Sequence, residues 1–462
     1  MMKQESNDFN RWSVNAYQPG EEKSVHESSS NHEQAEHKQG SFMRSFPHVD
    51  VGSLEDYQYY LLGLLVFALS FYLHSSCPFC PRAYSDLYSL FFQVYSTGAR
   101  WFSGTVGAVG IPYVDYVFEY PPVVAGMFYS TSVISLLLSG LAFAARRATF
   151  YTILALVFVL PAYLLYLKVT RDISKMFKAG LLRLFFAVAG FGMLYYLVYN
   201  FDIIAIVLAL LSLLQLTKGR TRSAGVLLGL SVASKILTGI IVIPSLIYLA
   251  RKGSRSAASY FLCFLAAVIA TFAPVYLLAP TGFQAMLKWH ANWYCENCFY
   301  IMIADDAYSA SWRLVSQALM ILVPLVVMAT TRDSDGKVLL MRRSLLMIPA
   351  VVSFSWVYSP QMNVMVAPAY LLAGGPLAFV MLAASDFLNM LIMVFFFRSD
   401  VLCRIFGVHA CPIDVQWRES PIQWIAFARI VLLWVFIVAV MISSRHKSHT
   451  VHYREEAVIA DV

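Results

Sequence analysis

Between Tyr59 and Ile442 the chain returns repeatedly to uninterrupted apolar stretches, many near the roughly 20 residues that carry a helix across a bilayer. They fall at about 59–75, 121–144, 150–168, 183–199, 202–217, 223–250, 259–279, 313–330, 344–358, 364–383, 384–397 and 422–442. In hydrocarbon every backbone N–H and C=O must be satisfied within the segment itself, which restricts such runs to helices. Composition points the same way. Only 13% of the 462 residues are charged and 59% are hydrophobic, against roughly 25% charged in an ordinary soluble domain. Soluble secreted, nucleic-acid-binding and disordered classes are excluded. The expected fold is an all-α, polytopic transmembrane helical protein with about 11–13 membrane segments, some re-entrant or broken.

Charge is spread unevenly. Residues 1–58 hold ten acids and five bases with no apolar period, and read as a disordered polar cytoplasmic tail without the apolar core of a signal peptide. The formal net charge of +7 divides into about −5 there and about +12 in the remainder, the basic excess usual for cytoplasmic loops. Four basic clusters are expected in the cytoplasm: Arg146 and Arg147; Lys218, Arg220 and Arg222; Arg251, Lys252 and Arg255; Arg342 and Arg343. Three apolar segments separate the first two clusters, so one must turn back, and 150–168, carrying Pro161, is the expected one. Segment 223–250 is basic at both flanks and is expected as two short helices meeting near Lys235 at the outer face. The membrane domain then spans 59–443, with a cytoplasmic tail at 444–462 and both termini inside. The outer face receives 76–120, 200–202, 280–312, 359–363 and 398–420, and with them ten of the 27 acids.

Six of the seven cysteines lie in those outer segments: Cys77, Cys80, Cys295, Cys298, Cys403 and Cys411. An oxidising exterior makes disulfides the first reading. Two C-x-x-C pairs, Cys77/Cys80 and Cys295/Cys298, admit a zinc site as the alternative, with His74 and His290 nearby.

The first outer loop, 76–120, is longer than ordinary connections. Its 84–102 stretch alternates aromatic with small and polar residues, as a helix lying on a membrane does. It carries three carboxylates, Asp86, Asp115 and Glu119. Read from the residues alone, Asp115 and Glu119 are equally well solvated loop acids, and Pro121-Pro122 a plain helix start.

Asp86-Leu87, an amphipathic loop and then Tyr120-Pro121-Pro122 opening a span resemble the GT-C superfamily of membrane glycosyltransferases. Within it the chain is most similar to the polyprenol-phosphate-mannose-dependent mannosyltransferase group and its uncharacterised prokaryotic relatives. Further stretches fit in the same order: Asn200-Phe201-Asp202 opens a helix, and Gly229 through Lys235 precedes Pro244. His290 then begins a segment ending in Glu296-Asn297, and Ser359-Pro360-Gln361 precedes another helix. The likeness covers roughly residues 59–383. The loop after His290 lacks the arginine and glutamine of those relatives, and nothing beyond Ala384 matches.

The resemblance implies transfer of a sugar, mannose favoured, from a polyprenyl-phosphate donor to an acceptor hydroxyl on a lipid or glycan. Transfer is inverting and occurs on the extracytoplasmic face. Such chemistry needs a carboxylate to take the hydroxyl proton and donors to stabilise the departing phosphate. It proceeds through an oxocarbenium-like sugar. By the resemblance Asp86 is the base, with Asp115 or Glu119 as the alternative or as a holder of acceptor or metal. Lys235 pairs the phosphate, since a lysine among apolar helices is costly without an anion; otherwise it snorkels to the interface. His290 either donates to the phosphate or is a plain loop histidine. Asp202 joins the site or merely caps its helix. Tyr120 and Gln361 are polar partners for sugar or phosphate, and Trp289, Trp293 and Tyr294 read as interface anchors. A divalent cation, Mg²⁺ or Mn²⁺, is compatible with the loop carboxylates. The alternative function is a secondary transporter of a polar or anionic solute, which would bring inverted repeats; the acidic Tyr-Pro-Pro loop has no second copy. A non-catalytic scaffold leaves the loop carboxylates unexplained.

Overall fold

Helix is the only regular structure in the computed structural model, apart from three isolated bridges among the described residues. Those residues are 56–460 without 77–78, 105–108, 141, 305, 397, 406 and 408–415. Nearly all of the expected polar tail, together with Cys77, Cys411, Asp305 and Asp414, lies outside them. Among the described residues six helices are long and apolar enough to cross a bilayer: Pro122–Ser139, Phe143–Met176, Ser254–Leu278, Ala310–Thr330, Pro376–Phe396 and Pro421–Ser444. Shorter apolar helices, Leu181–Tyr196, Asp202–Thr217 and Ile236–Ala250, accompany them. This all-helical architecture is compatible with a multi-pass membrane protein. Proline opens several of the helices, at Pro122, Pro280, Pro376 and Pro421, where its missing N–H costs nothing.

Contacts sort the helix termini into two ends of the bundle. Asp56 pairs with Arg171, and the Tyr59 hydroxyl donates to the Leu167 carbonyl at 3.0 Å. Farther along, Phe71 stacks on Tyr151 at 5.3 Å, so Asp56–His74 runs antiparallel to Phe143–Met176. At the end opposite Asp56, Asp86 meets Tyr120, Asn200 and Gln361.

Two expectations fail here. Pro161 does not turn segment 150–168 back: Phe143–Met176 is one helix of 34 residues, about 50 Å long at 1.5 Å per residue. A π-helical wind at Leu154–Val159 immediately precedes the proline, and its widened turn accommodates the ring. Arg146 and Arg147 also do not join the other basic clusters. The Arg146 guanidinium lies 5.3 and 4.8 Å from the ring centres of Phe91 and Tyr95, and that of Arg147 lies 4.8 Å from Tyr88. Both therefore sit at the Asp86 end, where aromatic faces take the place of lipid phosphate. Ser139, at the far end of Pro122–Ser139, places its Oγ 2.6 Å from Thr149 Oγ1.

Elsewhere the chain runs end to end. Helix Thr221–Val232 presses Gly225 and Gly229 against Ser254–Leu278. A Cβ on Gly225 would stand 2.3 Å from the Tyr260 carbonyl oxygen, and one on Gly229 would stand 2.8 Å from that of Phe264. Small residues four apart allow this backbone approach where no hydrophobic effect drives helices together. The chain then breaks at Lys235, whose backbone is extended (φ −154°, ψ 112°), before the 3₁₀ turn Ile236–Ile241 and helix Val242–Ala250. The last helix runs from Pro421 to Ala460. It continues past the boundary expected at 443, because no glycine or proline interrupts it.

Candidate functional site

Helix Asp86–Tyr95 is amphipathic, but it packs inward rather than lying on a surface. Leu87, Leu90, Phe91 and Val94 are buried, with Phe91 4.7 Å from the Phe150 ring. Ser85 caps it: its Oγ accepts the Leu87 N–H at 3.3 Å and donates to the Tyr199 carbonyl at 3.1 Å. That pairing fixes Asp86 as the first helical residue, facing the turn that links Tyr199 to Asp202. Asp86 Oδ2 accepts from Asn200 Nδ2 at 2.9 Å, Gln361 Nε2 at 3.2 Å and the Tyr120 hydroxyl at 3.4 Å. Asn200 Nδ2 also donates to the Tyr120 hydroxyl at 3.0 Å, and its Oδ1 accepts the Phe201 N–H. All of these donors are neutral. Asp86 is deeply surrounded by protein yet keeps part of its surface open. Burial, then the carboxylates of Glu119 and Glu296, push its carboxyl up to about 7, while Tyr199 and Lys235 oppose the rise.

Lys235 reaches Asp202, with Nζ 2.9 Å from Oδ1 and side chains only 14% and 3% exposed. Asp202 does not cap its helix, since no side-chain cap bond is made at that terminus. Its second oxygen, Oδ2, is buried without a hydrogen-bond partner. The lysine thus ends inside the protein beside Asp86.

Two more acids face this group. Glu119 Oε2 takes Arg100 Nη2 at 3.1 Å; Arg100 also donates to Gln93 Oε1 and covers the Trp289 ring at 4.7 Å. Glu296 accepts from Trp293 Nε1 at 2.6 Å, and its backbone carbonyl accepts the Tyr358 N–H at 2.9 Å. Burial raises the Glu296 carboxyl above its ordinary range. Trp289 thus lies under the guanidinium that pairs Glu119, and Trp293 donates directly to Glu296.

The remaining candidates stand apart. Asp115 Oδ2 accepts the Ile111 N–H at 2.6 Å, closing its own turn beside Tyr113, which has φ +69°. His290 is exposed on the last turn of Pro280–Ala291, with Nδ1 2.9 Å from the Met286 carbonyl. Cys295 and Cys298 form a disulfide, and Cys80 and Cys403 are disulfide-bonded too, so these four sulfurs offer zinc no thiolate. His74 turns inward to the carbonyls of Ala83 and Tyr195. Among the described residues no three His, Cys, Asp or Glu side chains group to hold a metal ion. Glu119 is engaged by Arg100, Glu296 by Trp293, and Asp86 by Asn200, Gln361 and Tyr120.

Sequence reasoning missed the residues that hold this site from behind. Arg429, fully buried, donates through Nη1 to Asn389 Oδ1 at 2.6 Å and through Nη2 to the carbonyls of Asn297 (2.8 Å) and Tyr358 (3.2 Å). It also lies 3.6 Å from the Tyr358 ring centre. One guanidinium thus ties the disulfide loop bearing Glu296 to the turn leading to Gln361. Asp386 accepts from Gly192 N, Asn363 Nδ2 and the Tyr370 hydroxyl. Each is a single ionisable residue within an apolar span, a signal that was readable by itself. Glu296 carried a signal as well, its place inside a C-x-x-C pair.

A surface recess of about 320 Å³, lined by Tyr308, Trp417 and Glu419 among others, shares no residue with the Asp86 group. The functional reading therefore rests on the carboxylate cluster and not on cavity size. Comparison with protein-family models gives no match, and neither does comparison with curated proteins.

Proposed function

We propose that the protein is a membrane glycosyltransferase that moves a sugar, mannose favoured, from a polyprenyl-phosphate donor to an acceptor hydroxyl on a lipid or glycan. The observation that carries this reading is Asp86, a carboxyl raised to about 7 and held by the neutral side chains of Tyr120, Asn200 and Gln361 at one end of an apolar bundle. A carboxyl in that range is partly ionised at neutral pH and strong enough to take a proton, which suits a general base. The acceptor oxygen attacks the anomeric carbon from the face opposite the phosphate. Its proton passes to Asp86, and the sugar–oxygen bond breaks with its electron pair leaving on the polyprenyl phosphate. Lys235 supplies positive charge to those phosphate oxygens, oriented by Asp202. Tyr120, Asn200 and Gln361 fix the direction of the base. No step requires a metal.

On this reading the Asp86 end faces the exterior. The clusters around Lys218, Arg251 and Arg342 face the cytoplasm, as the positive-inside rule prefers. The chain has about 11–13 membrane segments, some re-entrant or broken, and both termini lie inside. The second reading, a secondary transporter, draws on Asp386 and Arg429 within helices, where transporters place their charges. Asp386 is engaged by Gly192, Asn363 and Tyr370, and Arg429 by Asn389, Asn297 and Tyr358 through its two Nη atoms, which favours a structural role.

The test is purified protein in lipid nanodiscs, supplied with radiolabelled polyprenyl-phosphate mannose or glucose and an extract of lipid and glycan acceptors. Label entering an acceptor supports the proposal. Solute counterflow into proteoliposomes with no transfer of label would replace it with the transporter.

A further inference from the structure

At the end of the bundle away from Asp86, the turn after Val242–Ala250 meets the start of helix Gly336–Ser353. Between them lies a cavity of about 190 Å³. Its floor is apolar, from Pro244, Ile247 and Leu339, and its rim carries Arg251, Lys252 and Arg343. None of these three cations has an acidic partner among the described residues, where the ion pairs are made by other side chains. Arg343 spends Nε and Nη2 on the neutral carbonyl of Thr331, at 3.4 and 3.2 Å, and it feels Arg251 as a like charge. Lys252 Nζ sits 4.4 Å from the centre of the Tyr248 ring. Tyr248 is itself only 9% exposed, lines the cavity, and its buried hydroxyl has no hydrogen-bond partner.

Three cations without acidic partners and an unpartnered tyrosine hydroxyl thus gather around one small cavity. Like charges held together without a counter-ion repel one another, and a buried donor left unmade is costly. An oxyanion with several acceptor oxygens removes both penalties at once, and guanidinium and ammonium groups suit a phosphate in particular. We propose that this cavity binds the phosphate of an anionic phospholipid headgroup, with Arg251, Lys252, Arg343 and the Tyr248 hydroxyl as its donors. The apolar floor favours a lipid over a free ion, because it offers contact to glycerol and the first acyl carbons. The proposal is independent of the sugar-transfer reading and needs only that the bundle sits in a bilayer.

The experiment is native mass spectrometry of the full chain released from mixed micelles of phosphatidylglycerol and phosphatidylcholine in equal amounts. Phosphatidylglycerol should be retained about tenfold over phosphatidylcholine, and Arg251→Gln with Arg343→Gln should abolish that preference. Because Arg343 also braces Thr331, Lys252→Gln on the exposed turn is the second variant. It should lower retention about threefold with an unchanged melting temperature, and Tyr248→Phe should act in the same direction. Equal retention of the two lipids, or a preference that survives every variant, overturns the proposal. Millimolar inorganic phosphate distinguishes the sources: lipid that stays bound supports the headgroup, whereas lipid displaced by phosphate overturns the lipid assignment in favour of the free ion.

Discussion

Replacing Asp86 with asparagine exchanges one oxygen for an amide of nearly the same shape, and so separates charge from geometry. The carboxyl is raised from 3.8 to about 7. At about 1.4 kcal/mol for each tenfold change in ionisation constant, holding it ionised in place costs about 4 kcal/mol. The folded protein binds this proton more tightly than the unfolded chain does. The stability Asp86 contributes is therefore complete below pH about 4 and is lost as pH rises through about 7. Asp86→Asn carries no such charge. We predict melting temperatures equal to the parent's at acid pH and equal or higher at pH about 8, read by intrinsic tryptophan fluorescence. Activity should move the other way. Without its base the variant should transfer sugar about 10²–10⁴-fold more slowly. The parent's kcat/KM should climb about tenfold per pH unit below pH about 7 and then level, while the variant's residual rate stays flat. Initial rates in nanodiscs across that range decide the matter. A variant as fast as the parent, or a parent profile with no inflection between about pH 6 and 8, would refute Asp86 as the base.

Other perturbations probe the surroundings. Lys235→Gln leaves Asp202 as a buried carboxylate with neither oxygen paired to a charge, and should cost about 3–5 kcal/mol in thermal unfolding. Adding Asp202→Asn should recover most of it, and a double variant no better than the single would show that the pair is not coupled. Gly225→Val forces a side chain into the Tyr260 carbonyl. It should destabilise by about 1–3 kcal/mol while leaving the pH profile of transfer in place; an unaltered melting temperature would refute the close helix contact. Arg429→Lys keeps the charge but loses the fork that reaches Asn389, Asn297 and Tyr358 together. Both melting temperature and transfer rate should fall, and retention of both would show that the lysine restores the link.

The apolar runs were legible because membrane helices are specified by bulk composition, and the break at Lys235 because a cation interrupts a run that is basic at both flanks. Pro161 misled because proline's usual effect is local, and a π wind one turn earlier absorbs it. Arg146 and Arg147 misled for a different reason. A rule that counts charge treats lipid phosphate and water as the only company for a guanidinium, while here the company is Phe91, Tyr95 and Tyr88. The motifs pointed to Asp86, but its hydrogen bonds to Asn200 and Gln361 span 114 and 275 residues. Periodicity carries no record of pairings at that range. Glu296 escaped notice as a site acid because its setting depends on Trp293 and on a strand-like bridge to Val357, formed only once distant loops meet.

The gathering of Asp86, Glu119, Glu296 and Lys235 at a single end of the bundle has an electrical consequence. On the proposed chemistry the proton removed from the acceptor and the phosphate freed from the sugar are both released where they arise. Neither travels the length of the helices, so no net charge moves through the field across the bilayer during turnover. The cycle is then electrically silent. Its driving force resides wholly in the sugar–phosphate bond, and membrane voltage neither powers the step nor holds it back.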